Sequence, residues 1–229
     1  MIKQPPLVSV IMSVYNNSNT VEYSLNSILT QTYKNVEILV IDDASTDDTM
    51  SKLNSFESKN IKIFQNKENI GLTRSLNFLI KQSSGKYIAR QDADDMSMPD
   101  RLSHQVSLLE TRDYKICTTR ALSIQDNKKI PGKTIYFPNK FTIKFKNPFI
   151  HGTLMIEKSY MKKVGYYDEN FYYAQDYKLF SDLLKMNLKI YNSKKILYLL
   201  NMQNNISTEF KKEQQYFARC VRKNLVPIR

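Results

Sequence analysis

The chain has 229 residues, 41% of them apolar and 24% charged, an ordinary globular balance that excludes a disordered chain. No run approaches the ~18 apolar residues of a membrane-spanning helix, and the opening Met1-Ile2-Lys3-Gln4-Pro5-Pro6 does not read as a secretory signal. Residues 1–119 carry 13 Lys and Arg against 14 Asp and Glu, whereas residues 120–229 carry 21 against 8, so the net charge of +12 comes entirely from the second half.

In chain order, Leu7-Val8-Ser9-Val10-Ile11-Met12-Ser13-Val14 is nearly all apolar, as expected of a strand buried on both faces. Asn16 to Thr20 reads as a turn and helix start, and Val21, Leu25, Ile28 and Leu29 follow at helical spacing. Val36 to Ile41 is a second strand, running into the polar loop Asp42-Asp43-Ala44-Ser45-Thr46-Asp47 and a second helix. Ile61 to Phe64 is a short third strand, and Leu72, Leu76, Leu79 and Ile80 mark the next helix. Tyr87-Ile88-Ala89 is a fourth strand that ends in Gln91-Asp92-Ala93-Asp94-Asp95. Pro99 then stands where a first-turn proline belongs, before the stripe Leu102, Val106, Leu109. The second half is less regular: a strand over 152–156, a short helix over 157–164, an amphipathic helix over 175–186 and a strand over 196–200. The last helix carries Phe210, Gln214, Phe217 and Val221 on one stripe, with Lys211, Lys212, Arg219, Arg222 and Lys223 around it.

This βαβαβαβ alternation predicts an α/β fold: a mostly parallel sheet, helices on both faces, right-handed crossovers. No linker is long enough to divide the chain. Ligands in such sheets bind beyond the carboxyl ends of the strands, and both acidic clusters, Asp42-Asp43 and Asp92-Asp94-Asp95, fall there. Asp92 and Asp94 share one side of an extended chain. That suits Mg2+ or Mn2+, which takes one or two carboxylates and fills its other positions with phosphate oxygens and water. An EF-hand is excluded, because Met96, Ser97 and Ser103 occupy the positions where its turn and ligands belong. Helix-entry capping is the competing reading of the cluster.

Gly71, Gly85, Gly132, Gly152 and Gly165 are too scattered for G-x-G-x-x-G, a Walker A loop or G-x-S-x-G. A nucleotide would therefore be held without a glycine-rich cradle. Cys117 and Cys220 make neither a disulfide framework nor a metal pattern, and the two histidines, His104 and His151, exclude an H-E-x-x-H zinc site. The basic second half suits an anionic membrane surface or an acidic glycan, or is simply a solvated lysine-rich face. With no recognisable nucleic-acid module, nucleic acid is not an expected partner.

Pro6 to Asn16 resembles the opening strand of family 2 glycosyltransferases of the GT-A fold, and Val40 to Asp47 resembles that family's second strand and loop. Asn69-Ile70-Gly71-Leu72-Thr73-Arg74-Ser75-Leu76-Asn77 is similar to its third helix start, and Asp92-Ala93-Asp94-Asp95 with Pro99 and Arg101-Leu102 to its D-x-D segment. Asn147-Pro148-Phe149-Ile150-His151-Gly152-Thr153 and Gln175-Asp176-Tyr177 complete a set that occurs in order over about residues 6–190.

The resemblance implies a GT-A (Rossmann-like) sheet with a smaller acceptor-side region and a C-terminal helix. It implies one domain over 1–229, with 1–110 binding the nucleotide sugar and 111–229 facing the acceptor. The implied activity is metal-dependent, inverting transfer from a nucleotide sugar, a UDP-sugar, to a hydroxyl of a glycan or lipid-linked saccharide in bacterial surface or capsule polysaccharide synthesis. Tyr15 would stack on the base, with Ser13 nearby, and Asp43 would accept from an imide N–H. Arg74 would lie near the base or diphosphate, Asp92 would hold the ribose or diphosphate region, and Asp94 would ligate Mn2+ or Mg2+, with His151 approaching the metal or the donor sugar. Asp176 would be the general base. Each has a plainer reading: Tyr15 as packing, Asp43 and Asp176 as caps, Arg74 as a surface residue, His151 as a structural histidine. Gln175 stands where the family often has Glu, which leaves Asp176 without an acidic neighbour, and the C-terminal part is short beside many relatives. A catalytically degenerate nucleotide- or polyanion-binding module is the alternative; a sugar-nucleotide pyrophosphorylase would need a glycine-rich N-terminal loop that is absent. The expected location is cytoplasmic, peripheral at the inner face of the cell membrane.

Overall fold

The computed structural model describes residues 4–56, 58–203 and 210–228. Strand β1 (Val8–Val14) is buried along almost its whole length because both its faces are covered. Val8, Val10, Met12 and Val14 pack into one hydrophobic layer, together with residues of α1 (Val21–Leu29) and α2 (Thr49–Asn54). Ile11 points into a second layer with Leu39 and Ile41 of β2 (Val36–Asp42) and the stripe Leu76, Leu79, Ile80 of α3 (Leu72–Gln82). The two-residue period of a strand thus serves two cores at once. Each fully buried aliphatic side chain contributes about 1.5–3 kcal/mol of burial.

β1 pairs in parallel with β2 from Val8 opposite Val36 to Val14 opposite Asp42, and on its other side with β4 (Tyr87–Arg90). β2 pairs in parallel with β3 (Ile61–Gln65). This four-stranded block, in order β3-β2-β1-β4, is the alternation read from the sequence.

Beyond β4 the sheet departs from that expectation. The chain forms β5 (Met96–Ser97), α4 (Arg101–Thr111), β6 (Ile116–Ser123) and β7 (Lys129–Ile130). A 3-10 turn (Lys133–Tyr136) and the short α5 (Asn139–Thr142) follow, then a second 3-10 turn (His151–Thr153), β8 (Met155–Glu157) and α6 (Lys158–Lys163). The last elements are α7 (Gln175–Lys185), β9 (Ile190–Leu200) and the C-terminal helix, here α8 (Lys211–Lys223). β8 inserts antiparallel between β4 and β6, β9 lies parallel to β6, and β5 closes the far edge antiparallel to β9. The sheet is therefore mixed beyond its N-terminal block. The long strand β6 was not expected from Ile-Cys-Thr-Thr-Arg-Ala-Leu-Ser, whose Thr118 and Thr119 are nonetheless fully buried. The strand expected over 152–156 begins as the 3-10 turn, and the one expected over 196–200 is the end of an eleven-residue strand. Pro99 lies in a turn, two residues before the first residue of α4.

β9 also carries an irregularity. Its register against β6 shifts between Ser193 and Ile196 and again before Tyr198. Beyond the shift, the Tyr198 hydroxyl accepts from Asp92 N (3.1 Å).

Candidate active site

The carboxyl ends of β1, β2 and β4, the start of α7 and the end of β9 enclose a cleft of about 920 Å3. Ser13, Tyr15, Asp43, Asp92, Asp94, His151 and Asp176 all line it; Arg74 does not. Arg74 is half exposed on α3 and pairs with Glu169 at 3.4 Å, outside the residues that line the cleft.

The first two loops are locked together by hydrogen bonds. Asn16, in the left-handed region (φ 51°), receives Thr46 N on its side-chain oxygen (2.8 Å) and gives its own N–H to Ser45 Oγ (2.9 Å). Asp47 takes N–H groups from Ser18 and Thr49 (3.1 and 3.0 Å). Burial pushes its carboxyl up, but bonds from Thr49 and Ser18 outweigh that and hold it down at about 2. Tyr15, 46% exposed, stands at the mouth of the cleft with its ring open to a ligand.

Asp43 is no helix cap. Its buried carboxylate accepts from Asn66 Nδ2 (2.6 Å), Ile70 N (3.0 Å) and Gly71 N (2.8 Å). It thereby pins the loop before α3, where Gly71 adopts φ 89° with the Tyr172 ring pressed against it. A carboxylate has about four acceptor sites, so one remains for a ligand.

The turn after β4 divides three carboxylates among three tasks. Asp92 Oδ1 is held at 2.5 Å by Nη2 of Arg90, a guanidinium only 2% exposed. Asp95 is buried and accepts from Asn201 N (2.7 Å) and from the Tyr198 hydroxyl. Burial first, then the charges of Asp92 and Asp94, raise its carboxyl well above the usual range. Asp94 is raised to about 6, by burial and then by the charge of Asp92, and among the described residues it bonds only its own amide. Behind the turn, Arg101 donates from Nη1 to Arg90 O (3.0 Å) and Gly152 O (3.1 Å), and burial lowers its pKa to about 10. Gly152 closes the floor: a Cβ there would meet the Tyr198 hydroxyl and come within 2.5 Å of Asp92 Oδ2.

On the opposite wall, Asp176 lies in the first turn of α7, after Ala174 in the left-handed region (φ 52°). Asn147 donates to Asp176 Oδ2 (2.7 Å), and its own amide oxygen is fixed by Phe149 N (3.1 Å). Burial raises the Asp176 carboxyl, opposed by the Tyr177 N–H and Asn147. Gln175 beside it brings no second charge. Nε2 of His151 hydrogen-bonds the Tyr167 hydroxyl (2.7 Å), and burial, with Arg90 nearby, pushes the imidazole down to about 3, so it is neutral.

Among the described residues no group of three or more His, Cys, Asp or Glu is placed to cage a metal. The donor set fits a different kind of site. Asp92 and Asp95 have partners, while Asp94 is an open, poorly solvated carboxylate that a cation would relieve. One such ligand suits a hard divalent ion whose other oxygens come from a bound diphosphate and water.

Sequence reasoning missed Arg90 and Tyr198 and gave Asn147 no role. A charged residue abutting an apolar strand and an acidic cluster was a local signal for Arg90. Tyr198 gave none, since it comes from the other end of the chain.

A family model described as Glycosyl transferase family 2 matches residues 9–165. EpsE of Bacillus subtilis, assigned as a glycosyltransferase, is 42% identical over 168 residues, covering 70% of this chain and 60% of EpsE. WfgD of Escherichia coli, named a UDP-Glc:alpha-D-GlcNAc-diphosphoundecaprenol beta-1,3-glucosyltransferase, is 33% identical over 184 residues, covering 79% and 71%. The mannosyltransferase PcManGT of Pyrobaculum calidifontis, solved with GDP-Man and Mn2+, superposes with a TM-score of 0.77 at 18% identity, over 98% of this chain and 67% of that one. That likeness concerns the fold. The chain thus spans about 60% of the length of EpsE.

Proposed function

The chain belongs to glycosyl transferase family 2, and from that premise we propose that it transfers a sugar, with inversion, from a UDP-sugar to a hydroxyl of a glycan or lipid-linked saccharide. The observation that carries this reading is that Asp43, Asp94 and Asp176, from two loops and a helix start far apart in sequence, line one cleft. The description of WfgD supports the choice of UDP and of a lipid-linked acceptor. Assembly of a surface polysaccharide, such as a capsule, is the setting that follows. Residues 1–110 bind the donor and residues 111–229 face the acceptor. The basic second half holds the protein at the inner face of the membrane; no helix among the described residues is long and apolar enough to cross it.

Tyr15 offers its exposed ring to the base, with Ser13 beside it, and the remaining acceptor site of Asp43 takes the imide N–H. Asp92, fixed by Arg90, orients the ribose and diphosphate region. Asp94 would hold Mn2+ or Mg2+, which when bound supplies positive charge against the departing diphosphate. Neutral His151 forms part of the wall at the donor sugar. Asp176 takes the proton of the acceptor hydroxyl as that oxygen attacks the anomeric carbon from the side opposite the diphosphate. Its carboxyl, raised by burial, is a stronger base than a solvated aspartate, which is what proton abstraction near neutral pH asks for.

The test is nucleoside diphosphate release with a panel of nucleotide sugars and Mn2+. Asp176→Asn should lower kcat about 1,000-fold while the thermal shift given by UDP is kept. Undiminished turnover would remove Asp176 as the base, and the absence of any nucleotide-induced shift would overturn the donor reading.

A further inference from the structure

We propose that residues 133–146 form the docking surface for an anionic lipid bilayer. This deepens the reading above by naming the part of the basic half that meets the membrane, and it rests on that reading for where the acceptor lies.

The segment inverts the usual burial pattern. Tyr136 is 65% exposed, Phe137 55%, Phe141 57% and Phe145 63%, although each carries a large apolar ring. The backbone beneath them is anchored. Ile135 and Ile143 are buried, Asn139 Nδ2 donates to Ile190 O (2.9 Å), and the Tyr177 hydroxyl donates to Ile143 O (2.6 Å). The rings therefore point outward from a fixed strip of chain. Phe141, in α5, and Phe145, in the turn after it, pack against each other with centroids at 5.2 Å.

Lysines interleave with the rings. Residues 127–156 contain six Lys and no Asp or Glu. Lys133, Lys140, Lys144 and Lys146 are exposed. None of the four joins an ion pair among the described residues. Protein interfaces deplete lysine from the patch that holds their aromatic anchors. An anionic bilayer favours both together: rings settle at the headgroup boundary and lysines bind the surface charge. The strip also adjoins the acceptor side, since Lys146 precedes the Asn147 that holds Asp176. Docking it would bring that base toward the headgroup plane.

The experiment is co-sedimentation with vesicles of phosphatidylcholine alone or mixed with phosphatidylglycerol. It uses no donor, acceptor or metal, so its failure is separate from a failure of glycosyl transfer. Wild type should bind the mixed vesicles and release them as salt rises. A ring variant (Tyr136→Ser, Phe137→Ser, Phe141→Ser, Phe145→Ser) and a charge variant (Lys133→Gln, Lys140→Gln, Lys144→Gln, Lys146→Gln) should each bind at least about tenfold more weakly. A variant of the α8 cations (Lys211→Gln, Lys212→Gln, Arg219→Gln, Arg222→Gln, Lys223→Gln) should stay within about twofold of wild type if the strip dominates. Unfolding midpoints should be unchanged in the ring and charge variants. Wild-type binding by both, loss confined to the α8 variant, or a wild-type dimer dispersed by the ring variant would each overturn the proposal.

Discussion

On the β1–β2 side of the cleft, backbone and side-chain donors reach both carboxylate oxygens of Asp43 and of Asp47, and Asp43 keeps one acceptor site. On the β4–α7 side, Asp94 bonds only its own amide among the described residues and Asp176 takes Asn147 Nδ2 and the Tyr177 N–H, and burial holds both carboxyls above the usual range. The two sides share one rim and one residue type. What separates them is whether the donors or the burial of the carboxylate wins. The first set holds loops in place; the second is left poised for a cation and a proton. Identical side chains at one site are therefore set apart by the balance of burial, donors and neighbouring charge.

Substitutions that trade the two sides give the sharpest breaks. Asp43→Ala strips three charge-assisted bonds and strands the amides of Ile70 and Gly71, so unfolding in urea should show a loss of about 3 kcal/mol. A loss under 1 kcal/mol would mean that Asp43 is not the anchor of its loop. Asp94→Asn should go the other way. Without cation at pH 7.5 it should be more stable than wild type, by up to about 1 kcal/mol after solvent screening, because a partly buried carboxylate beside the like charge of Asp92 is removed.

The pH dependence follows from the sign of each shift. The folded Asp94 carboxyl titrates at about 6, above its unfolded value, so its cost appears as pH rises through roughly 4 to 6. The advantage of Asp94→Asn should fade below that window, and thermal melts at pH 4 should coincide with wild type. Asp47, held at about 2, does the reverse: its contribution is present above the unfolded value and is lost as pH falls toward 2. The smallest effect is expected outside the cleft. Arg74→Ala breaks only an exposed pair with Glu169, so stability should stay within about 0.5 kcal/mol and the KM for donor should not change. A rise in KM would return Arg74 to the donor site.

The sequence alone determined the four-stranded parallel block, its helices and the position of Asp42-Asp43 and Asp92-Asp94-Asp95 at strand ends. Those features are local: apolar runs, helical stripes and turn residues repeat within a few residues of one another. Asp176 was legible only through the family pattern around it. The tertiary structure decided the rest. Antiparallel β8 entered the sheet because β4 and β6 left an edge on either side of it, a pairing that no window of sequence records. The irregular β9 carried Tyr198 back to Asp92 and Asp95, and Arg90 and Asn147 acquired their roles from the carboxylates they meet. Which acid stays open and which is tied depends on donors delivered from distant segments, and a linear pattern does not encode those distances.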